Sequence, residues 1–121
     1  MPSHLELGIA GEQIAILYLQ KNGYTVLDCN VRFGRDEIDI VAYDRAERMI
    51  VFVEVKTRSH NSYAYPIRKA VNYRKRRCLR RAISAWCIAR TYDGPARLDV
   101  LCVYRGKVIE HLKEVGREFL D

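Results

Sequence analysis

The chain has 121 residues, 49% hydrophobic and 30% charged, with a formal net charge of +6 and a pI near 9.3. That length suits a single domain, and the apolar fraction excludes a disordered chain. No apolar run nears the roughly 20 residues that cross a bilayer, and "MPSHLELGIAGE" lacks the regions of a signal peptide, so a cytoplasmic protein without a membrane partner is expected.

Residues 3–23, "SHLELGIAGEQIAILYLQKNG", read as a helix with Ser3 as N-cap and Gly23 as C-cap. Its polar stripe is Glu6, Gln13 and Gln20. Glu12 is off that stripe, among Gly8, Ala15, Ile16 and Leu19. Gly8 and Gly11 cost the helix about 1 kcal/mol each relative to alanine, a sign of close backbone approach. Glu12 is either an exposed or ion-paired residue at the helix edge, or one aimed at a polar site.

Three strands follow: "YTVLDCNVRF" (24–33), "DEIDIVAYD" (36–44) and "RMIVFVEVKT" (48–57), joined by short turns as sequential antiparallel strands. Period two puts Ile38 and Ile40 on one face of the second, and Glu37, Asp39 and Val41 on the other. In the third, Val51, Val53 and Val55 share a face, and Phe52, Glu54 and Lys56 its opposite. If the two strands pair, Asp39 and Glu54 lie side by side with Lys56 one pleat away. Two partly buried carboxylates repel, and a divalent cation relieves that repulsion. Mg2+ takes one or two carboxylates and completes its shell with water and phosphate oxygens. A neighbouring lysine can act at the attacking water or on the developing phosphoryl charge. The trio thus suits metal-assisted phosphodiester hydrolysis. It equally suits a salt-bridged outer face of an antiparallel sheet.

"RSHNSYAY" is a polar, aromatic loop, and Pro66 opens a helix to about Arg90. The apolar face of this helix is Val71, Cys78, Leu79, Ala82, Trp86 and Ala89, with Lys75 inside it. Lys75 either snorkels to an edge or reaches a polar pocket between helix and sheet. "TYDGP" ends the helix. "ARLDVLCVY" (96–104) and "KVIEHL" (107–112) are the last strands, on either side of an Arg105–Gly106 turn. The order αβββαββ predicts an α/β sandwich with a mixed central sheet and flanking helices. Cys29, Cys78, Cys87 and Cys102 form no C-x-x-C pair and read as reduced core residues; His4, His60 and His111 cluster with nothing in sequence.

Charge is unevenly distributed. Between Glu54 and Asp93 there is no acidic residue, yet the interval holds eleven of the 21 basic ones. A solvated face would mix both signs, so a polyanion-binding surface is expected.

Several strings occur together in order: Gly8-x-x-Gly11-Glu12, Gly23-Tyr24, Asn30-x-Arg32, Glu37-Ile38-Asp39, "VFVEVKTR" (51–58), Ala70-Val71 with Lys75, and Arg97-x-Asp99-Val100. This set resembles the YraN-like family of uncharacterised bacterial proteins, over about Leu7 to Leu112. That family is similar to the PD-(D/E)xK superfamily, and within it to archaeal Holliday-junction resolvases. The resemblance implies a restriction-endonuclease-like three-layer sandwich. It implies metal binding by Glu12, Asp39 and Glu54 with Mg2+ or Mn2+, and catalysis by Asp39, Glu54 and Lys56. The chain departs from the family at Asp36, where glycine is usual, and at Tyr65 and Lys69, where a glycine and an acid are usual.

The resulting expectation is an endonuclease acting on DNA in preference to RNA, on a branched or otherwise structured substrate. Arg32, Arg58 and Lys75 would contact phosphates near the site. Lys69, Arg76, Arg77, Arg80 and Arg81 would contact the backbone further out, and Tyr63, Tyr65 and Tyr73 would stack on bases. The alternatives are a non-catalytic nucleic-acid-binding module and a subunit of a DNA-repair complex on the same fold. Two-fold substrates are compatible with a homodimer, for which no sequence feature marks an interface.

Overall fold

The computed structural model describes residues 3–58 and 73–115, apart from the side chains of His4, Tyr73 and Arg76. The expected loop after Arg58, with Tyr63, Tyr65, Pro66, Lys69 and Val71, lies outside the described residues.

The first helix, α1 (His4–Lys21), starts at a capping box: Ser3 Oγ accepts the Glu6 N–H at 3.1 Å, and the Glu6 carboxylate accepts the Ser3 N–H at 3.3 Å. The cap at its other end is Asn22, one residue before the expected Gly23, which follows at φ +92°. Strands β1 (Tyr24–Phe33), β2 (Asp36–Asp44) and β3 (Met49–Arg58) form an antiparallel meander. β3 then pairs in parallel with β4 (Ala96–Tyr104), which requires a crossover; α2 (Tyr73–Ala89) lies within it. β5 (Lys107–Leu112) closes the five-stranded mixed sheet antiparallel to β4, in the spatial order β1-β2-β3-β4-β5.

Two apolar clusters lie on opposite faces of this sheet. On one, Ala15 and Leu19 of α1 pack on Ile40, Ala42, Val51 and Val53. On the other, Leu79, Ile83 and Trp86 of α2 pack on Val41, Phe52 and Val100, with Trp86 edge-on to Phe52 at 5.5 Å between ring centroids. Alternation along β3 accounts for this. Val51 and Val53 face α1, whereas Phe52 faces α2, so Glu54 and Lys56 belong to the α2 side. Ile83, absent from the expected apolar face of α2, is buried on it, and Ala89, expected there, is exposed.

Along β2 alternation fails at one place. Ile38 packs in the α2 cluster and Ile40 in the α1 cluster, so the two do not share a face as expected. The break falls at Asp39. Opposite it, between the Cys29–Ile40 and Val31–Ile38 pairs, β1 carries Asn30 in a left-handed conformation, φ +52°. A bulge between Val26 and Asp28 further disturbs β1. The cysteines also differ from expectation. All four are free thiols, but only Cys102 is buried, and Cys29 is exposed on β1. Among the described residues no helix is long and apolar enough to cross a membrane.

Gly11 is where α1 touches β3. A β-carbon there would overlap Thr57 Oγ1 and lie 3.1 and 3.3 Å from Thr57 Cβ and Cγ2, so rotating the threonine does not clear the space. At Gly8 a β-carbon would meet nothing within 4 Å. Gly11→Ala is therefore expected to destabilise by about 1–3 kcal/mol despite its better helix propensity, and Gly8→Ala to stabilise by about 1 kcal/mol. Urea unfolding of both variants checks the pair; equal effects would show that helix propensity alone governs both sites.

Candidate functional site

The β2–β3 ladder runs from Asp44–Met49 to Ile40–Val53 and stops one residue short of Asp39 and Glu54. Where it stops, a side chain takes the place of a backbone partner: Asp39 Oδ2 accepts the Val55 N–H at 2.8 Å. Asp39 and Glu54 are thus held at the point where the two strands leave their register. Burial raises the Asp39 carboxyl, and the neighbouring Glu54 and Glu12 charges raise it further, to about 7.

Glu54 is 3% exposed. Two ammonium groups meet its Oε1: Lys56 Nζ at 3.4 Å, from the same face of β3, and Lys75 Nζ at 3.3 Å, from α2. Lys75 therefore reaches the polar site and does not snorkel away from it. Burial opposes the Lys75 charge, but Glu54, Asp39 and Glu37 outweigh burial and raise its pKa. Glu12 approaches from α1, on the other side of the sheet. Burial, Glu37 and Glu54 raise its carboxyl, against a hydrogen bond from Asn30 that lowers it. The left-handed Asn30 thus serves both the break in alternation and the placement of Glu12.

Glu54 Oε2 is buried and has no hydrogen-bond partner among the described residues. An orphaned anionic oxygen next to a second carboxylate fits a hard divalent cation, which would satisfy it. No three His, Cys, Asp or Glu side chains among the described residues converge as a ready-made ligand set. The protein would then supply two carboxylates, with water and phosphate oxygens completing the shell, a division that Mg2+ accepts and Zn2+ seldom does.

The other basic residues are distributed differently. Arg32 sits opposite Glu37 across β1–β2, 74% exposed, with a 3.7 Å ion pair between them. Arg58 is half-buried at the end of β3, and Arg77 and Arg80 are exposed on α2. Arg76 lies on α2, its side chain outside the described residues, as is all of Lys69. Arg81 has a different engagement. Its guanidinium grips Asp36 with two hydrogen bonds of 3.0 Å, and the Asp36 carboxyl is held below its usual range by that contact. Asp36 thus ties α2 to the start of β2.

A second polar group surrounds Arg97-x-Asp99, a string to which the sequence attached no role. Arg97 and Asp99, two apart on β4, point to the α1 side and are 5% and 0% exposed. Arg97 binds Asp99 twice, at 2.8 and 2.9 Å, reaches Asp44 at 3.1 Å and donates to the Tyr24 hydroxyl at 2.9 Å. His111 Nε2 lies 2.7 Å from Asp99 Oδ2, and its Nδ1 lies 3.0 Å from the Tyr18 hydroxyl. The Glu114 N–H also donates to Asp99. The sequence signal was the Arg-x-Asp pair inside an apolar strand. Burial opposes the Asp99 charge, yet His111 and Arg97 hold its carboxyl below the usual range.

Fold and site together define an α/β sandwich whose mixed sheet carries a carboxylate pair, one buried and one half-buried, and two lysines where its central strands part. The chain belongs to the uncharacterised protein family UPF0102, whose family model matches residues 11–103. This is the YraN-like family that the ordered motifs resemble. A UPF0102 protein of Flavobacterium psychrophilum is 35% identical over 122 residues, covering 98% of this chain and all of that one. One from Bacteroides thetaiotaomicron is 41% identical over 117 residues, 94% of each chain. One from Syntrophotalea carbinolica is 44% identical over 102 residues, 84% of this chain and 80% of that protein.

Proposed function

We propose that this protein is a metal-dependent endonuclease of the restriction-endonuclease-like fold, hydrolysing phosphodiester bonds in structured DNA. The observation that carries the reading is the Asp39–Glu54 pair. Two carboxylates in partial or full burial, one raised to about 7 and the other with an orphaned oxygen, form a costly arrangement unless a cation joins them. Asp39 and Glu54 would hold Mg2+ or Mn2+, with Glu12 bearing on the same site from α1. The bound cation would supply Lewis-acid polarisation of the phosphodiester. Lys56, fixed on the face of Glu54, orients water or stabilises the charge that develops on the phosphoryl oxygens. Arg32, Arg77 and Arg80 supply phosphate contacts around it.

The test is cleavage of a panel of duplex, flapped and four-way DNA with Mg2+ or Mn2+. Wild type is expected to cut at least one substrate, and Asp39→Ala and Glu54→Ala to cut none. Uncut substrates with wild type, or undiminished cutting by either variant, would overturn the proposal.

A second reading is favoured by one observation: Lys56 and Lys75 already neutralise Glu54 without any metal. A non-catalytic DNA-binding module needs no more than that. It predicts metal-independent binding through the basic helix. In either reading, Arg77→Ala with Arg80→Ala is expected to weaken DNA binding and to lower the slope of log K against log salt by about 2, near 0.9 per phosphate contact. Fluorescence anisotropy across a salt series measures it; an unchanged slope would remove α2 from the interface.

A further inference from the structure

We propose that Lys75 is a resident counter-ion of the carboxylate site, holding the place at Glu54 that a divalent cation must take from it. This rests on the metal-dependent reading above.

Both lysines meet the same oxygen, Glu54 Oε1, and leave Oε2 without a partner. The two differ in how they are rooted. Lys56 is two residues from Glu54 on the same strand face, so its Cα stays beside its partner in any state of the site. Lys75 comes from another element, α2, on a flexible four-carbon stem whose side chain is 37% exposed. Lys56 is nearly as exposed, at 33%, so what sets Lys75 apart is its rooting on a second element. Lys75 is also the group on which the acidic cluster acts together: Glu54, Asp39 and Glu37 all bear on it and outweigh its burial.

A dication bound at Asp39 and Glu54 would stand within a few ångströms of the Lys75 ammonium. Like charges at such a distance in a poorly solvated site repel strongly. The cation and Lys75 therefore compete for Glu54, and Lys75 leaves towards the basic face of α2. Without metal the lysine keeps a buried carboxylate neutralised, so the apo fold does not carry an uncompensated charge. The consequence is a site that is stable when empty and correspondingly weaker for metal.

Calorimetric titration of the full chain with Mn2+, at fixed pH and ionic strength, tests this without reference to cleavage. Lys75→Met and Lys75→Gln are each expected to bind Mn2+ about tenfold more tightly than wild type, and Lys75→Arg to stay near wild type because the charge is kept. Circular dichroism confirms that each variant is folded, and two neutral variants guard against failure of one. Equal or weaker binding in both neutral variants, with measurable binding in wild type, overturns the counter-ion role and leaves the metal site standing. Absence of Mn2+ binding in wild type and all variants overturns both.

Discussion

Asp39→Asn is expected to abolish metal-dependent cleavage and, in the metal-free protein at pH 8, to make the fold more stable. With Asp39 holding the cation as proposed, its loss should exceed the roughly 10–100-fold that an outer-shell partner costs. The stability gain follows from linkage. The Asp39 carboxyl is raised by burial and by Glu54 to about 7, from a usual 3.8. The folded state therefore holds a proton that the unfolded state has lost between those two values. Stability from this group is present in full below about pH 4 and falls as pH rises towards 7. At pH 8 the ionised carboxylate costs the fold about 2–4 kcal/mol, allowing for relaxation around it.

Asparagine removes that cost while its amide oxygen can still accept the Val55 N–H. The variant should thus denature at a higher temperature than wild type at pH 8, with the gap closing by pH 4. Millimolar Mn2+ should reverse the order, because it stabilises only the protein that binds it. Thermal unfolding of both proteins with and without Mn2+, at both pH values, gives the four differences needed. A variant less stable than wild type in metal-free buffer at pH 8 would show that Asp39 is a structural anion satisfied by Lys75, and the metal reading would lose its main support.

Arg97→Met is expected to be the most damaging single change to the fold. Arg97 is the one cation that joins Asp99, Asp44 and Tyr24 among the described residues, at 2.8 to 3.1 Å. Asp99 is fully buried and Asp44 nearly so. Removing the guanidinium leaves two carboxylates in a place where water cannot replace it, which typically costs 3–5 kcal/mol. For a chain of this size that is a fall in melting temperature of roughly 10–20 °C.

The pH dependence identifies the cause. Against the opposing effect of burial, Arg97 and its neighbours depress the Asp44 and Asp99 carboxyls, so in wild type their contribution is present above about pH 4 and lost as pH falls through the depressed values. In Arg97→Met both carboxylates can escape their burial by taking up protons. The deficit against wild type should be largest at pH 8 and shrink towards pH 5. A deficit independent of pH would mean that packing of the arginine stem, not its charge, is what matters.

The network and the site share β4 and β3 as neighbours. Asp99 pairs with Val53, and Val100 with Glu54. The Arg97 group sits on the α1 side and fastens β4, β5 and α1 through Asp99, His111 and Tyr18. Glu54 faces the α2 side, one register position on. A rigid, fully bonded group thus lies next to strands that must hold two repelling carboxylates at the end of their ladder.

Most of the secondary structure was legible because each element carries its own period and punctuation. β1, β2, β4 and β5 begin and end at the residues read from alternation and turn chemistry, and Ser3 with Glu6 announces α1. Glu54 and Lys56 could be assigned to one face because nothing interrupts the period of β3. Glu12 and Lys75 stood out as ionisable residues among apolar ones, and both act electrostatically on the Asp39–Glu54 pair.

What failed to show depends on pairing between distant segments. Ile38 and Ile40 separate because Asn30 adopts a left-handed conformation opposite Asp39, and a one-strand alternation has no access to its partner's irregularity. Arg81 counted as one more cation until Asp36, 45 residues away, came to meet it. His111 had no companion in sequence because its companions, Asp99 and Tyr18, belong to other elements. The sequence by itself determined the elements, the two faces of β3 and the supply of charges. Only the tertiary structure decided which charges meet, because electrostatic contact is set by distance and burial, and both come from the packing of two helices on opposite faces of one sheet.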